Sequence, residues 1–174
     1  MKIIESKEVY RCRVFGITED VATDGKGFEI HRSILRHRGA AVMLAVDAQD
    51  RVLLIRQYRL AVDEYIWELP AGTVDPGEKP AKTARRELIE ETGYRAKTWK
   101  KLGTFLPSPG CTDERMTIFL ATDLTKGEAH PMGDERIESK WFTRAQVTAM
   151  IRSKKIIDAK TLVAWLHWNY LQSA

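Results

Sequence analysis

Between Gly72 and Tyr94 the chain reads GTVDPGEKPAKTARRELIEETGY, with four glutamates and two arginines around a short apolar stripe. On a helix, Glu87, Glu90 and Glu91 fall at i, i+3 and i+4, so three carboxylates share a face while Ala84 and Leu88 turn toward a core. Like charges so placed repel unless a cation joins them. Hard carboxylate oxygens suit magnesium or manganese, which bind phosphates while keeping several waters, whereas zinc and copper prefer nitrogen or sulfur. The chemistry this group supports is that of a divalent-metal enzyme acting on phosphates. The plainer alternative is a solvated helix face on which Arg85 and Arg86 pair with the glutamates.

The elements that must position these residues can be read from pattern. Pro80 suits a first helical turn and Gly93 a stop, which predicts a helix over 80–92, although Lys79 is a poor cap for its start. Ala40 to Val46 is fully apolar and reads as a buried strand, and Asp47 to Asp50 turns the chain into a second strand over 51–59. Ahead of this hairpin, Val9 to Phe15 and Phe28 to Leu35 predict an antiparallel β unit with a turn at Asp24-Gly25-Lys26-Gly27. Further strands are predicted near 98–106, 115–122 and 137–142, with a polar loop over 123–136. Thr143 and Gln146 have capping-box spacing at the start of a helix to about Arg152, and a last helix runs over about 158–171. Helix and strand are interleaved throughout, which is the signature of an α/β or α+β protein.

With 174 residues, 44% of them hydrophobic and 30% charged, the chain can bury the core of one domain, and disorder or low complexity is excluded. A net charge of +4 favours phosphates and nucleotides but is too small to indicate nucleic-acid binding. Cys12 and Cys111 have neither CxxC spacing nor a disulfide framework around them. No apolar run is long enough for a membrane span or an export signal, so the expected compartment is the cytoplasm.

The spacing G-x5-E-x7-R-E-U-x-E-E-x-G-U is met at Gly72, Glu78, Arg86, Glu87, Leu88, Glu90, Glu91, Gly93 and Tyr94, and so resembles the box of the Nudix hydrolases. Tyr94 stands where the family usually has an aliphatic residue. Further on, Ser108-Pro109-Gly110-Cys111-Thr112-Asp113-Glu114 is similar to the S-P-G-x-x-D-E pattern of the ADP-ribose pyrophosphatase branch. Arg56-Gln57-Tyr58-Arg59, Trp67-Glu68-Leu69-Pro70-Ala71-Gly72 and Asp158-Ala159-Lys160-Thr161 agree with that branch too.

The resemblance implies a Nudix α/β/α sandwich over residues 39–174, preceded by a small N-terminal antiparallel β unit over 1–38 used for dimerisation and substrate contact. It implies Mg2+, with Mn2+ as a substitute, held by Glu87, Glu91, Glu90 and the Ala71 carbonyl, and Arg86 orienting the glutamates. Arg59 would hold phosphate with Arg56, Glu68 and Glu114 would contact substrate or its waters, and Ser108 and Gly110 would shape the ribose side. In the polar loop, Glu135 is the first choice for a further metal ligand and catalytic base, and Glu138 the second. Arg32-Ser33 and Arg38 depart from the branch, which usually carries an Arg-x-Glu-like pair and a proline, so Arg32 is a candidate for phosphate or base.

The implied reaction is hydrolysis of ADP-ribose to AMP and ribose 5-phosphate. The alternatives are hydrolysis of another nucleoside diphosphate sugar such as GDP-mannose, or a regulator that binds ADP-ribose without cleaving it. The last helix is apolar nearly all round from Leu162 to Leu171. It suits either an interface in a homodimer, which the resemblance implies, or packing within one subunit.

Overall fold

The computed structural model describes residues 1–129 and 136–170. At its N-terminus, β1 (Lys2–Arg11), β2 (Phe15–Thr23) and β3 (Glu29–His37) form an antiparallel sheet in that order. The expected turn is present: Asp24 Oδ1 accepts from the Lys26 and Phe28 N–H groups at 2.7 and 3.2 Å, with Gly25 and Gly27 at positive φ. The run Val9 to Phe15, expected as one strand, instead reverses, and the Cys12 N–H donates to the Phe15 carbonyl at 2.9 Å. Arg13 and Val14 form that corner without the glycine, proline or asparagine that announces a turn, and β2 was missed for the same reason.

The body is built around β4 (Ala40–Ala45), whose six residues are all buried. Alternate side chains of a strand point to opposite faces, so a strand covered on both sides reads as a continuous apolar run. Val42, Leu44 and Val46 join one core cluster with Val147, Ile156 and Ala164, while Ala41, Met43 and Ala45 join another with Ala84 and Leu88. Those clusters place α1 (Pro80–Thr92) on one face and α2 (Arg144–Arg152) and α3 (Ala159–Tyr170) on the other. The result is a mixed α/β sandwich.

Two sheets lie between these helices. One has the order β7 (Ala71–Thr73), β4, β9 (Met116–Lys126), β8 (Tyr94–Phe105), with β4 and β9 parallel. The other has β10 (Glu138–Thr143), β5 (Arg51–Arg59) and β6 (Glu64–Glu68), all antiparallel. The short strands β6 and β7 escaped the sequence reading because neither is long enough to show alternation and Pro70 lies between them.

Helix ends follow their expected chemistry. The α2 capping box is complete, with Gln146 N–H donating to Thr143 Oγ1 at 3.2 Å and Thr143 N–H to Gln146 Oε1 at 2.8 Å. Lys79 offers α1 no side-chain cap, and Gly93 ends that helix in the left-handed region at φ 74°. Helix α3 packs Leu162, Val163, Trp165 and Trp168 against the core within the same chain, which leaves Leu166 and Tyr170 exposed. No helix among the described residues is long and apolar enough to cross a membrane.

Candidate active site

Strand β7 pairs with β4 through Gly72 opposite Ala41 and Ala71 opposite Val42, and the Pro70 carbonyl accepts from the Met43 N–H at 2.9 Å. That pairing sets the Ala71–Thr73 backbone beside α1, whose inner face is fixed by buried Ala84 and Leu88. Gly72 is required for space: a Cβ there would lie 2.0 Å from Cδ of Glu87. Glu91 is 5% exposed and accepts the Ala71 N–H at 3.1 Å. The expected carboxylate face and the Ala71 backbone therefore come together.

Arg86 organises the rest of the box. Its Nη1 donates to Glu87 at 2.6 Å and to Glu90 at 3.0 Å, and its Nη2 donates to Glu78 at 3.1 Å. These bonds hold the Glu78 carboxyl down at about 2, chiefly through Arg86, with burial opposing and Thr83 assisting. Burial works against the charge on Arg86, but Glu78 and Glu87 outweigh it and raise its pKa. Asp75 lies 3.4 Å from the same guanidinium, so one arginine faces four carboxylates and the cluster stays anionic. Among the described residues no three acidic, His or Cys side chains form a ready-made metal cluster, and Glu87 and Glu90 turn to Arg86. A hard cation would draw on oxygens of Glu87, Glu90, Glu91 and the Ala71 carbonyl, the first two of which also serve Arg86.

A cavity of about 320 Å3 opens over Gly72 and Glu87, and Arg86, Arg59, Arg13 and Arg38 also line it. Carboxylates and arginines lining one cavity suit a diphosphate and its counter-cation. Arg13 and Arg38 were not foreseen as cavity residues. Arg38 donates to the carbonyls of Val74 at 2.8 Å and Arg13 at 2.9 Å, so it ties the β1–β2 corner to the segment after β7. Its replacement of a usual proline is the only sequence signal for Arg38, and Arg13 has none because its corner lacks turn residues.

The other candidates are distributed more widely. Arg59, at the end of β5, donates from Nε to Glu68 at 2.8 Å, and Glu68 itself is fully buried. Arg56 does not line the cavity; it lies over the Tyr65 ring and 3.9 Å from Glu138, its register partner on β10. Ser108, Gly110 and Glu114 lie in the β8–β9 loop, which is tied to β3 by Leu35 N–H to Cys111 O at 2.9 Å. Ser108 Oγ is 3.2 Å from Cys111 Sγ, and Glu114 is 3.4 Å from His37 Nδ1. Arg32 is exposed on β3 and borders a separate groove with Ile34, Leu106 and Pro109. Glu135 lies outside the described residues.

The NUDIX domain model matches residues 35–166. The chain belongs to the Nudix family. It is 36% identical over 173 residues to the ADP-ribose pyrophosphatase of Bacillus subtilis (strain 168), covering 94% of this chain and 92% of that protein. It is 34% identical to the methanol dehydrogenase activator of Bacillus methanolicus, covering 99% and 94% of the two chains. A crystal structure of an ADP compounds hydrolase superposes with a TM-score of 0.83 at 23% identity, over 99% of this chain and 97% of that one, and shares the fold. The protein is thus a Nudix pyrophosphohydrolase with the Nudix α/β/α architecture, of a family that generally uses divalent metal ions.

Proposed function

We propose that this Nudix enzyme hydrolyses the diphosphate of ADP-ribose to AMP and ribose 5-phosphate with Mg2+, and that Mn2+ substitutes. The observation that carries the reading is the single cavity lined by Gly72, Glu87, Arg59 and Arg86 together. The name of the Bacillus subtilis relative supports the choice of substrate, as does that of a Mycobacterium tuberculosis relative, also called ADP-ribose pyrophosphatase.

The donor set fits a hard divalent cation, with Glu87, Glu90, Glu91 and the Ala71 carbonyl as its protein ligands and Glu135 as a further one. Such a cation neutralises the diphosphate and makes a bound water a better nucleophile. The chain's own residues do the rest. Arg86 holds Glu87 and Glu90 in place, Arg59 binds phosphate, and Glu135, with Glu138 as second choice, accepts the proton of the attacking water. Ser108, Gly110 and Glu114 bound the ribose side, Arg32 meets phosphate or base, and Arg56 would meet phosphate only by leaving Tyr65 and Glu138, since it does not line the cavity. A regulator that only binds ADP-ribose has no need of three box glutamates together.

The N-terminal unit, residues 1–38, serves dimerisation and substrate contact, and residues 39–174 carry the hydrolase. A homodimer is supported by exposed Ile3, Ile4, Val9 and Tyr10 on β1, which is exposed along its whole length. The enzyme works in the cytoplasm on small nucleotides and does not engage nucleic acid or membrane. A second reading, hydrolysis of another nucleoside diphosphate sugar such as GDP-mannose, draws on the departures from the branch at Arg32-Ser33 and Arg38. Product analysis with Mg2+ and kcat/KM over a panel of nucleoside diphosphate sugars separates the two. AMP formed from ADP-ribose with the highest kcat/KM is expected, and a higher value for GDP-mannose replaces the first reading by the second.

A further inference from the structure

Next to Arg59, which lines the cavity, lies a buried charge network. Glu68 has no exposed surface, and each of its oxygens has its own cation: Oε1 accepts from Arg59 Nε at 2.8 Å, and Oε2 accepts from Lys160 Nζ. Lys160 is 8% exposed and donates also to Asp158 Oδ1 at 2.9 Å. Asp158 in turn accepts from the N–H and hydroxyl of Thr161, at 3.0 and 2.6 Å, and the Thr161 hydroxyl accepts the Leu69 N–H at 2.8 Å. Two cations and two anions cancel, so the start of α3, the end of β6 and the chain leading to Ala71 are joined without leaving a buried charge unpaired.

Burying a carboxylate and an ammonium is a poor way to gain stability, since apolar side chains of similar volume do as well or better. Orientation explains the network more directly. Lys160 occupies one oxygen of Glu68 and keeps the other from gripping Arg59 as a fork. Arg59 is consequently held by Nε alone, and among the described residues no hydrogen bond takes its two terminal nitrogens. Its side chain keeps 41% exposure and borders the cavity with Gly72 and Glu87.

We propose that Glu68 and Lys160 are positioning residues that act on substrate only through Arg59, presenting its terminal nitrogens to a phosphate. This deepens the reading above, because it rests on Arg59 as a phosphate anchor, and it replaces direct contact of Glu68 with substrate by an indirect role. Removing Lys160 frees Glu68 to draw the guanidinium inward, and removing the charge of Glu68 releases Arg59 from its tether. Both changes weaken phosphate binding by the same route.

The test is a double-mutant cycle on Arg59→Gln and Glu68→Gln, read by calorimetric binding of inorganic pyrophosphate with Mg2+ and by KM for ADP-ribose. Each single variant is expected to weaken pyrophosphate binding about tenfold, the scale of a charged hydrogen bond. Glu68→Gln is expected to add nothing further once Arg59 is Gln. A residue with a purely structural role lowers the unfolding midpoint without such coupling. Should Glu68→Gln not fold, Glu68→Gln with Lys160→Met removes both buried charges together and enters the same cycle. Multiplying effects, an unaltered Glu68→Gln, or failure of the unmodified enzyme to bind pyrophosphate overturns the proposal. If the pyrophosphate cycle shows coupling while ADP-ribose is not cleaved, the substrate reading fails and the positioning role stands.

Discussion

At Gly72 a single hydrogen in place of a methyl group decides where the Glu87 carboxyl can sit, because that side chain fills the space a Cβ needs. Gly72→Ala is expected to push Glu87 off the cavity and lower kcat/KM by about a hundredfold, with a small change in unfolding midpoint. Steady-state kinetics beside a urea titration check both. Glu78 makes a different prediction. Its folded pKa, about 2, lies below its ordinary 4.5, so its contribution to stability is complete above 4.5 and lost as pH falls toward 2. Wild type should lose at most about 3 kcal/mol more than Glu78→Gln over that acid limb, which Asp20 and Asp47, also held below their ordinary values, keep present in both proteins; urea midpoints taken from about pH 5 to about pH 2 measure the difference. The spacing of Glu87, Glu90 and Glu91 was legible in the sequence because helical geometry places i, i+3 and i+4 together. The burial of Glu68 under Arg59 and Lys160 was not, since its partners lie 9 and 92 residues away and come from two other elements.

The helices and long strands follow from local chemistry. Ala40 to Ala45 declares itself by unbroken apolarity because helices cover both its faces, and α2 by its capping box. Strand β7 has three residues and no pattern; it exists because β4 offers an open edge and α1 leaves room beside Gly72. The reversal at Cys12 to Phe15 likewise depends on pairing between β1 and β2 rather than on turn residues, and with it the position of Arg13 stayed hidden. One element carries a correctable weakness. Lys79 occupies the cap position of α1 with extended backbone and no side-chain acceptor. Lys79→Ser is expected to stabilise the fold by about 1 kcal/mol, read as a higher urea midpoint at unchanged slope. A lower midpoint would show that the first turn of α1 is already satisfied.

For the whole molecule, the net charge of +4 conceals a sorting: carboxylates gather along α1 and its loop, while Arg13, Arg38 and Arg59, from other elements, line the same cavity. The exposed apolar residues of β1 make the dimer a prediction at this scale. Light scattering should return twice the chain mass of 19.9 kDa, and a value of 19.9 kDa would remove the interface from the account. In the proposed mechanism the box carboxylates hold the cation needed to cleave a nucleotide diphosphate. The most direct test of that role is AMP release from ADP-ribose as a function of Mg2+ in wild type and Glu91→Gln, where the amide oxygen can still accept the Ala71 N–H and keep the fold. Wild type should turn over with saturable Mg2+ dependence while the folded variant is slower by about a hundredfold or more at the same Mg2+. A Glu91→Gln enzyme that releases AMP at the wild-type rate would contradict the account.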